Sequence, residues 1–338
     1  MYIEKRSSSS YRVVQMISGK KYTVSVDHRP TKSEATRLIA EVLASKPKRA
    51  DVKTTFSEGA QQYIDDKDNV LSPSTQYGYL CLKRLIDRLY PEFTQMRMCD
   101  ITDVDIQKIV SKYAQTRSPK TVRNLTGFIS PVLRYFDKGR VLDVTTPPKE
   151  IVELYTPDDD EVERLVKRIE GTRFEIAVML GAFAVRRSEI CALTLDDFNF
   201  EENSVFVHRA KVKGKNGGWV IVERNKTSKS RRKVYLPEIV CLKIKERGCV
   251  YRGNPNDISE FMGNIEKELG INHFTLHRLR SYYASISDYL HLAEVSILDQ
   301  GGWSSPHVMK QVYRKKLAQK NKESAQITVK HFETMVAG

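Results

Sequence analysis

The chain has 338 residues, 40% of them hydrophobic, which is enough for two or three buried cores. A formal net charge of +14, with a pI near 9.4, is spread along the chain and favours a polyanionic partner, nucleic acid above all. Cys81, Cys99, Cys191, Cys241 and Cys249 are odd in number and form no C-x-x-C pair, which argues against a disulfide framework or a zinc site and predicts buried thiols in a reducing compartment. No apolar run approaches membrane length and no signal peptide opens the chain, so the sequence reads as soluble and intracellular.

Residues 1–48 read as a small separate module. The stretches at 11–16 and 21–26 are rich in β-formers, and Ser18-Gly19-Lys20 between them suits a hairpin turn. Thr31 and Glu34 make a T-x-x-E capping box, behind which Ala35, Leu38, Ile39, Val42 and Leu43 repeat at helical spacing. A short basic sheet backed by a helix can lie in a DNA groove, with Arg12, Lys20 and Lys21 as candidate contacts. Lys46-Pro47-Lys48-Arg49 reads as the linker leaving it.

Residues 54–140 read as helical. Ser72-Pro73 starts a helix with Cys81, Leu85 and Leu89 on one stripe and Leu82 and Ile86 widening it, and Pro91 ends it. Thr102 with Asp105 caps a second helix bearing Ile106, Ile109 and Val110. Ser118-Pro119 opens a third with Val122, Leu125, Phe128 and Ile129, which Pro131 should kink or break. Lys120 and Arg123 are candidate DNA contacts here, and Pro147-Pro148-Lys149 supplies the next linker.

From 152 onward, Thr156-Pro157 reads as an N-cap and first helical position ahead of Val162, Leu165 and Ile169. A further helix, ending MLGAFAV, runs into Arg186-Arg187-Ser188-Glu189-Ile190. Strand character follows at 205–207 and 219–222, leading to the basic stretch from Asn225 to Pro237 that contains Lys226, Lys229 and Arg232. His277 and Arg280 are three apart, so on a helix they point the same way. Leu292, Val295 and Leu298 suit another helix, stopped at Gly301-Gly302. Trp303 follows at once, Ser305-Pro306 can open a last helix, and Tyr313 lies about two turns along it.

These motifs together resemble the tyrosine recombinases, the integrases of phages and mobile elements. That family carries H-x-x-R, then G-(H/W)-S-S, then a nucleophilic tyrosine nine or ten residues beyond the His/Trp, and Trp303 to Tyr313 is ten. It also carries T-G-x-R-x-S-E-(I/L)-x-x-L, which on Ser188-Glu189-Ile190 makes Arg186 the catalytic arginine, with Ala184-Val185 where the family often has Gly-Leu. Its hairpin K-T-x-x-S-x-R-x-(V/I)-x-L-P puts the catalytic lysine at Lys226. Lys229 and Arg232 then read as phosphate contacts through charge alone.

The resemblance implies an α+β multidomain protein: an arm-type DNA-binding domain (1–48), a helical, SAM-like core-binding bundle (54–140) and a mainly α catalytic domain with a small β-sheet and a C-terminal tail (152–338). The catalytic residues it implies are Arg186, Lys226, His277, Arg280, Trp303 and Tyr313. Paired guanidinium N–H groups suit the non-bridging oxygens of a pentacoordinate phosphate. Tyr313 attacks, His277 accepts its proton, Lys226 protonates the departing 5′-oxygen, and Trp303 bonds the phosphate or packs. Glu189 reads as a structural acid. The link to Tyr313 conserves bond energy, so no metal or other cofactor is implied.

The implied partners are double-stranded DNA at core and arm-type attachment sites, a homotetramer on that DNA, a host DNA-bending protein and an excision factor, in the cytoplasm of a bacterial host at the nucleoid. Two other readings stand beside the integrase. One is a Xer-like dimer resolvase, against which the N-terminal module argues; the other is a non-catalytic DNA-binding regulator, which has no need of Tyr313.

Overall fold

The computed structural model describes residues 1–7, 10–17, 20–44, 53–150, 155–223, 231–306 and Val329. Lys226, Lys229, Tyr313, the tail, the Ser18-Gly19 turn and the linker at 46–49 lie outside them, as do the side chains of Lys20, Lys21, Val42 and Leu43. The chain divides into two compact units, Met1–Val70 with Tyr79–Lys149, and Leu71–Gly78 with Glu150 onward.

The first unit opens with strands β1 (Tyr2–Ser7), β2 (Ser10–Ile17) and β3 (Lys20–Val26), antiparallel in that order. Ile3 pairs with Val13 and Val13 with Val24, so these side chains share one face. Helix α1 (Lys32–Ala44) covers that face with Ala35 and Ile39. Its expected capping box is present: the Glu34 N–H donates to Thr31 Oγ1 at 3.2 Å and the Thr31 N–H to Glu34 Oε2 at 3.4 Å. Strand β1 is absent from the sequence reading, because Glu4, Lys5 and Arg6 interrupt its apolar signal.

Five helices follow: α2 (Phe56–Asp66), α3 (Pro73–Leu89), α4 (Pro91–Gln95), α5 (Asp103–Ala114) and α6 (Pro119–Phe136). Thr55–Glu58 and Thr102–Asp105 form reciprocal capping boxes on α2 and α5. The buried face of α3 centres on Ile86, while Cys81 and Leu89, expected on the stripe, are exposed. Helix α6 also departs from expectation, running through Pro131 unbroken. An interior proline costs about 3 kcal/mol. Val122, Leu125, Phe128, Ile129, Val132 and Leu133 are all buried on both sides of it, and each such side chain contributes about 1.5–3 kcal/mol, so burial wins.

The second unit contains α7 (Asp159–Ile169), α8 (Glu175–Ala182), α9 (Arg187–Ile190), β4 (Phe198–Asn199), β5 (Ser204–Val207), β6 (Arg209–Lys213), β7 (Trp219–Glu223), β8 (Arg232–Tyr235), α10 (Glu238–Arg247), α11 (Pro255–Leu269), α12 (Leu276–Tyr289) and α13 (Glu294–Gly301). Its core joins Leu165, Ile176, Leu180, Val205, Val234 and Leu279. Among the described residues its strands form two small sheets, β4-β5-β8, with β8 at one edge, and the ribbon β6-β7. The α7 cap is Asp158, in a box with Glu161, rather than Thr156, since a carboxylate three residues before a glutamate satisfies two orphan N–H groups at once. On α13 Ile297 and Gly301 are buried, while Val295, and Leu292 just before the helix, are exposed. Of the five cysteines only Cys191 and Cys241 are buried. No helix among the described residues is long and apolar enough to cross a membrane.

Candidate active site

Three arginines from three elements converge on the C-terminal end of α13. The carbonyls there lack helical partners and carry the negative end of the helix dipole. Arg232 Nε donates to the carbonyl of Gln300 (2.9 Å), Arg280 Nη2 to that of Gly301 (2.8 Å) and Arg186 Nη2 to that of Gly302 (2.7 Å). Successive carbonyls of one helix end therefore receive successive guanidinium groups.

The helix end is itself built by its sequence. Gly302 is the C-cap with φ +63°, and the Trp303 N–H closes back on the Leu298 carbonyl at 3.0 Å. A Cβ on Gly301 would lie 1.8 Å from the Trp303 ring, so only glycine lets the indole fold under the helix. Trp303 is buried with Ala184, Ala284 and Ile297, and the Arg280 guanidinium carbon sits 4.9 Å from its ring centroid. Of the two roles expected for Trp303, packing is the one seen.

Arg186 is the N-cap of α9, where a tight turn precedes it. Ala184 has φ +64°, the left-handed conformation that favours glycine, which suits the glycine the resemblance expects at that position. The Arg186 N–H and Nη1 bind the two carboxylate oxygens of Glu189 at 2.8 and 2.9 Å. Arg232 Nη2 and Nη1 reach the same carboxylate at 2.9 and 3.3 Å. Glu189 is fully buried. Burial alone would raise its pKa, but the Arg232 charge and hydrogen bond, then Arg186, hold it down at about 2. Arg187 turns away and donates to Ser259 Oγ.

His277 occupies the first turn of α12 and Arg280 the next, with Arg280 fully buried and His277 solvent-accessible. Partial desolvation against the protein, then the charges of Arg280, Arg278 and Arg186, push the imidazole down to about 4. At pH 7 its ring is neutral and can accept a proton. Desolvation, then Asp159, pushes the Tyr282 phenol up to about 12, and desolvation raises that of Tyr283.

The structure thus gathers Arg186, His277, Arg280 and Trp303, while Lys226 and Tyr313 lie outside the described residues. One expected DNA contact is corrected. Arg232 is buried and ion-paired to Glu189, so it is not a surface phosphate contact. Arg123 donates to the Pro147 carbonyl at 2.9 Å. Arg12 is half-buried and Lys120 exposed, both in the first unit. Sequence reasoning missed Gln300 and the structural use of Arg232. For Arg232 the signal was present as the last residue of K-T-x-x-S-x-R; for Gln300 there was none.

Residues 156–320 match the model of the phage integrase family, and residues 55–114 match the phage integrase N-terminal SAM-like domain. Among solved structures, the Tn1549 transposon integrase in complex with transposon right-end DNA is similar at TM-score 0.65 and 17% identity, covering 80% of this chain and 100% of that one. A lambda integrase tetramer bound to a Holliday junction is similar at TM-score 0.59 and 17% identity, covering 92% of this chain and 94% of that one. At such identity these likenesses show the fold. No curated protein matches the chain.

Proposed function

The chain belongs to the phage integrase family of tyrosine recombinases and is a site-specific DNA recombinase, and from that premise we propose that it integrates and excises a mobile element through a 3′-phosphotyrosyl intermediate. The observation that carries this reading is the convergence of Arg186 and Arg280 on adjacent carbonyls, Gly302 and Gly301, beside a neutral His277. Their remaining N–H groups suit the non-bridging oxygens of the scissile phosphate, where charge grows in the transition state.

In the proposed reaction the Tyr313 oxygen attacks phosphorus, and His277 takes the phenolic proton. The P–O bond to the 5′-oxygen breaks, and Lys226 gives that oxygen a proton. The 5′-hydroxyl of a partner strand then attacks the phosphotyrosyl link, restoring a phosphodiester and the phenol. Two such exchanges pass through a Holliday junction in a homotetramer. The β1–β3 sheet with α1 forms the arm-type domain (1–48), α2–α6 the core-binding domain (54–140), and 152–338 the catalytic domain; accessory bending and excision factors, and action at the bacterial nucleoid, complete the reading. The N-terminal sheet favours an integrase over a dimer resolvase.

The test is a nicked suicide duplex carrying the element's end, with chelator present. A denaturation-resistant protein–DNA adduct formed by the wild type and lost in Tyr313→Phe supports the reading. An adduct that persists in the variant, or tight binding with no adduct from either protein, overturns it.

A further inference from the structure

Gln300 is joined to β8 at three points. Its side-chain Nε2 donates to the Tyr235 carbonyl (2.7 Å), and its Oε1 accepts the Tyr235 N–H (3.1 Å). Its own carbonyl accepts Arg232 Nε (2.9 Å). Tyr235 lies on β8, the edge strand of the order β4-β5-β8, so the amide of Gln300 pairs with the free edge much as another strand would. A half-buried glutamine on a helix usually meets solvent; this one uses both ends of its amide on one residue's backbone.

The chain position of this junction is informative. Arg232, the first residue of β8, lies six residues after Lys226, and Gln300 lies thirteen before Tyr313. The remaining N–H groups of Arg232 hold Glu189, which holds Arg186. A shift of β8 along α13 would therefore move the point at which the chain arrives from Lys226 relative to both arginine sites.

We propose that Gln300, acting with Arg232, is a positioning residue that fixes β8, the strand that follows Lys226 in the chain, to the helix end carrying the phosphate-binding arginines. The clasp rests on the reading of Lys226 as the acid for the 5′-oxygen. Gln300 touches neither DNA nor the reacting atoms in this role. Its contribution is register between β8 and α13, and misplacing an acid by about 1 Å can cost on the order of 100-fold.

The test compares wild type, Gln300→Met, Gln300→Glu and Lys226→Ala in single-turnover cleavage of the suicide duplex. A second duplex has sulfur in place of the 5′-bridging oxygen; its thiolate leaving group, with a pKa of about 8.5, departs without a proton. Gln300→Met keeps the volume and loses both amide bonds. The expected result is a cleavage rate lower by about 10- to 100-fold on ordinary DNA, with DNA affinity and melting temperature unchanged and the deficit much smaller on the sulfur duplex. Gln300→Glu, which still accepts the Tyr235 N–H, should fall between. Cleavage equal to wild type, a deficit of the same size on both duplexes, or a deficit that accompanies lost binding or melting would each overturn the clasp. Lys226→Ala is the control: if sulfur does not rescue it, the reading of Lys226 as the acid fails and the clasp falls with it, whereas rescue of Lys226→Ala without rescue of Gln300→Met overturns the clasp alone.

Discussion

Replacing Glu189 with glutamine removes the one carboxylate that Arg186 and Arg232 share. Glu189 is 0% exposed, so solvent screening does not dilute the effect. Its carboxyl titrates near 2 when folded against an ordinary 4.5, a gap worth about 3 kcal/mol at pH 7. Removing one partner of a buried ion pair is destabilising by about 3–5 kcal/mol, so both routes agree. Because the folded value is depressed, this stability is present above pH 4.5 and is lost as pH falls towards 2. The difference between wild type and Glu189→Gln should thus shrink from about 3 kcal/mol at pH 7 to about 1 kcal/mol at pH 3. Both tryptophans, Trp219 and Trp303, lie in the second unit, so urea unfolding followed by tryptophan fluorescence reports that unit. A variant within 1 kcal/mol of wild type at pH 7, or a gap that does not change with pH, would refute the electrostatic account.

Other outcomes follow from the same geometry. His277 should titrate below pH 5 in the DNA-free protein, and its midpoint should rise when inorganic phosphate or DNA offsets the neighbouring guanidinium charges; an NMR titration midpoint near 6.5 without ligand would contradict this. Trp303→Ala should leave a cavity under Arg280 and destabilise the second unit by about 3–5 kcal/mol, measured by urea unfolding followed by circular dichroism. Gly301→Ala places a methyl inside the Trp303 ring, and the expected result is loss of the native near-ultraviolet circular dichroism of that indole. Lys120→Ala, at an exposed position on the helical bundle, should weaken DNA binding and lower the slope of affinity against salt by about one; an unchanged slope removes it from the interface.

Much of this architecture is written locally. The capping boxes at Thr31, Thr55 and Thr102 need only four consecutive residues, and the motif around Ser188-Glu189-Ile190 needs five. What was illegible depends on distance or on phase. Counting charge could not separate a buried guanidinium from a solvated one, because the partner of Arg232 is 43 residues away at Glu189. Gln300 carries no signal at all, since its partner is the backbone of a strand 65 residues distant. Helix α13 has eight residues, little more than two turns, and in so short a run the stripe can be phased on Val295 or on Ile297. Pro131 was judged by local cost, and the two-sided apolar face of α6 outweighs it.

The means by which the arginines are held bears on what they can do next. A carboxylate paired to each guanidinium would cancel its charge and leave little field for a phosphate. Arg280 donates to the Gly301 carbonyl and faces the Trp303 ring, and Arg186 shares one carboxylate with Arg232. Carbonyl dipoles orient a guanidinium while taking only a partial charge from it. The cluster therefore stays cationic while its geometry is fixed, and its charges add to desolvation, the larger cause, in lowering the pKa of His277. In the proposed reaction an incoming phosphate would add counter-charge, and by linkage it would raise the affinity of the imidazole for the proton that a tyrosine nucleophile must lose.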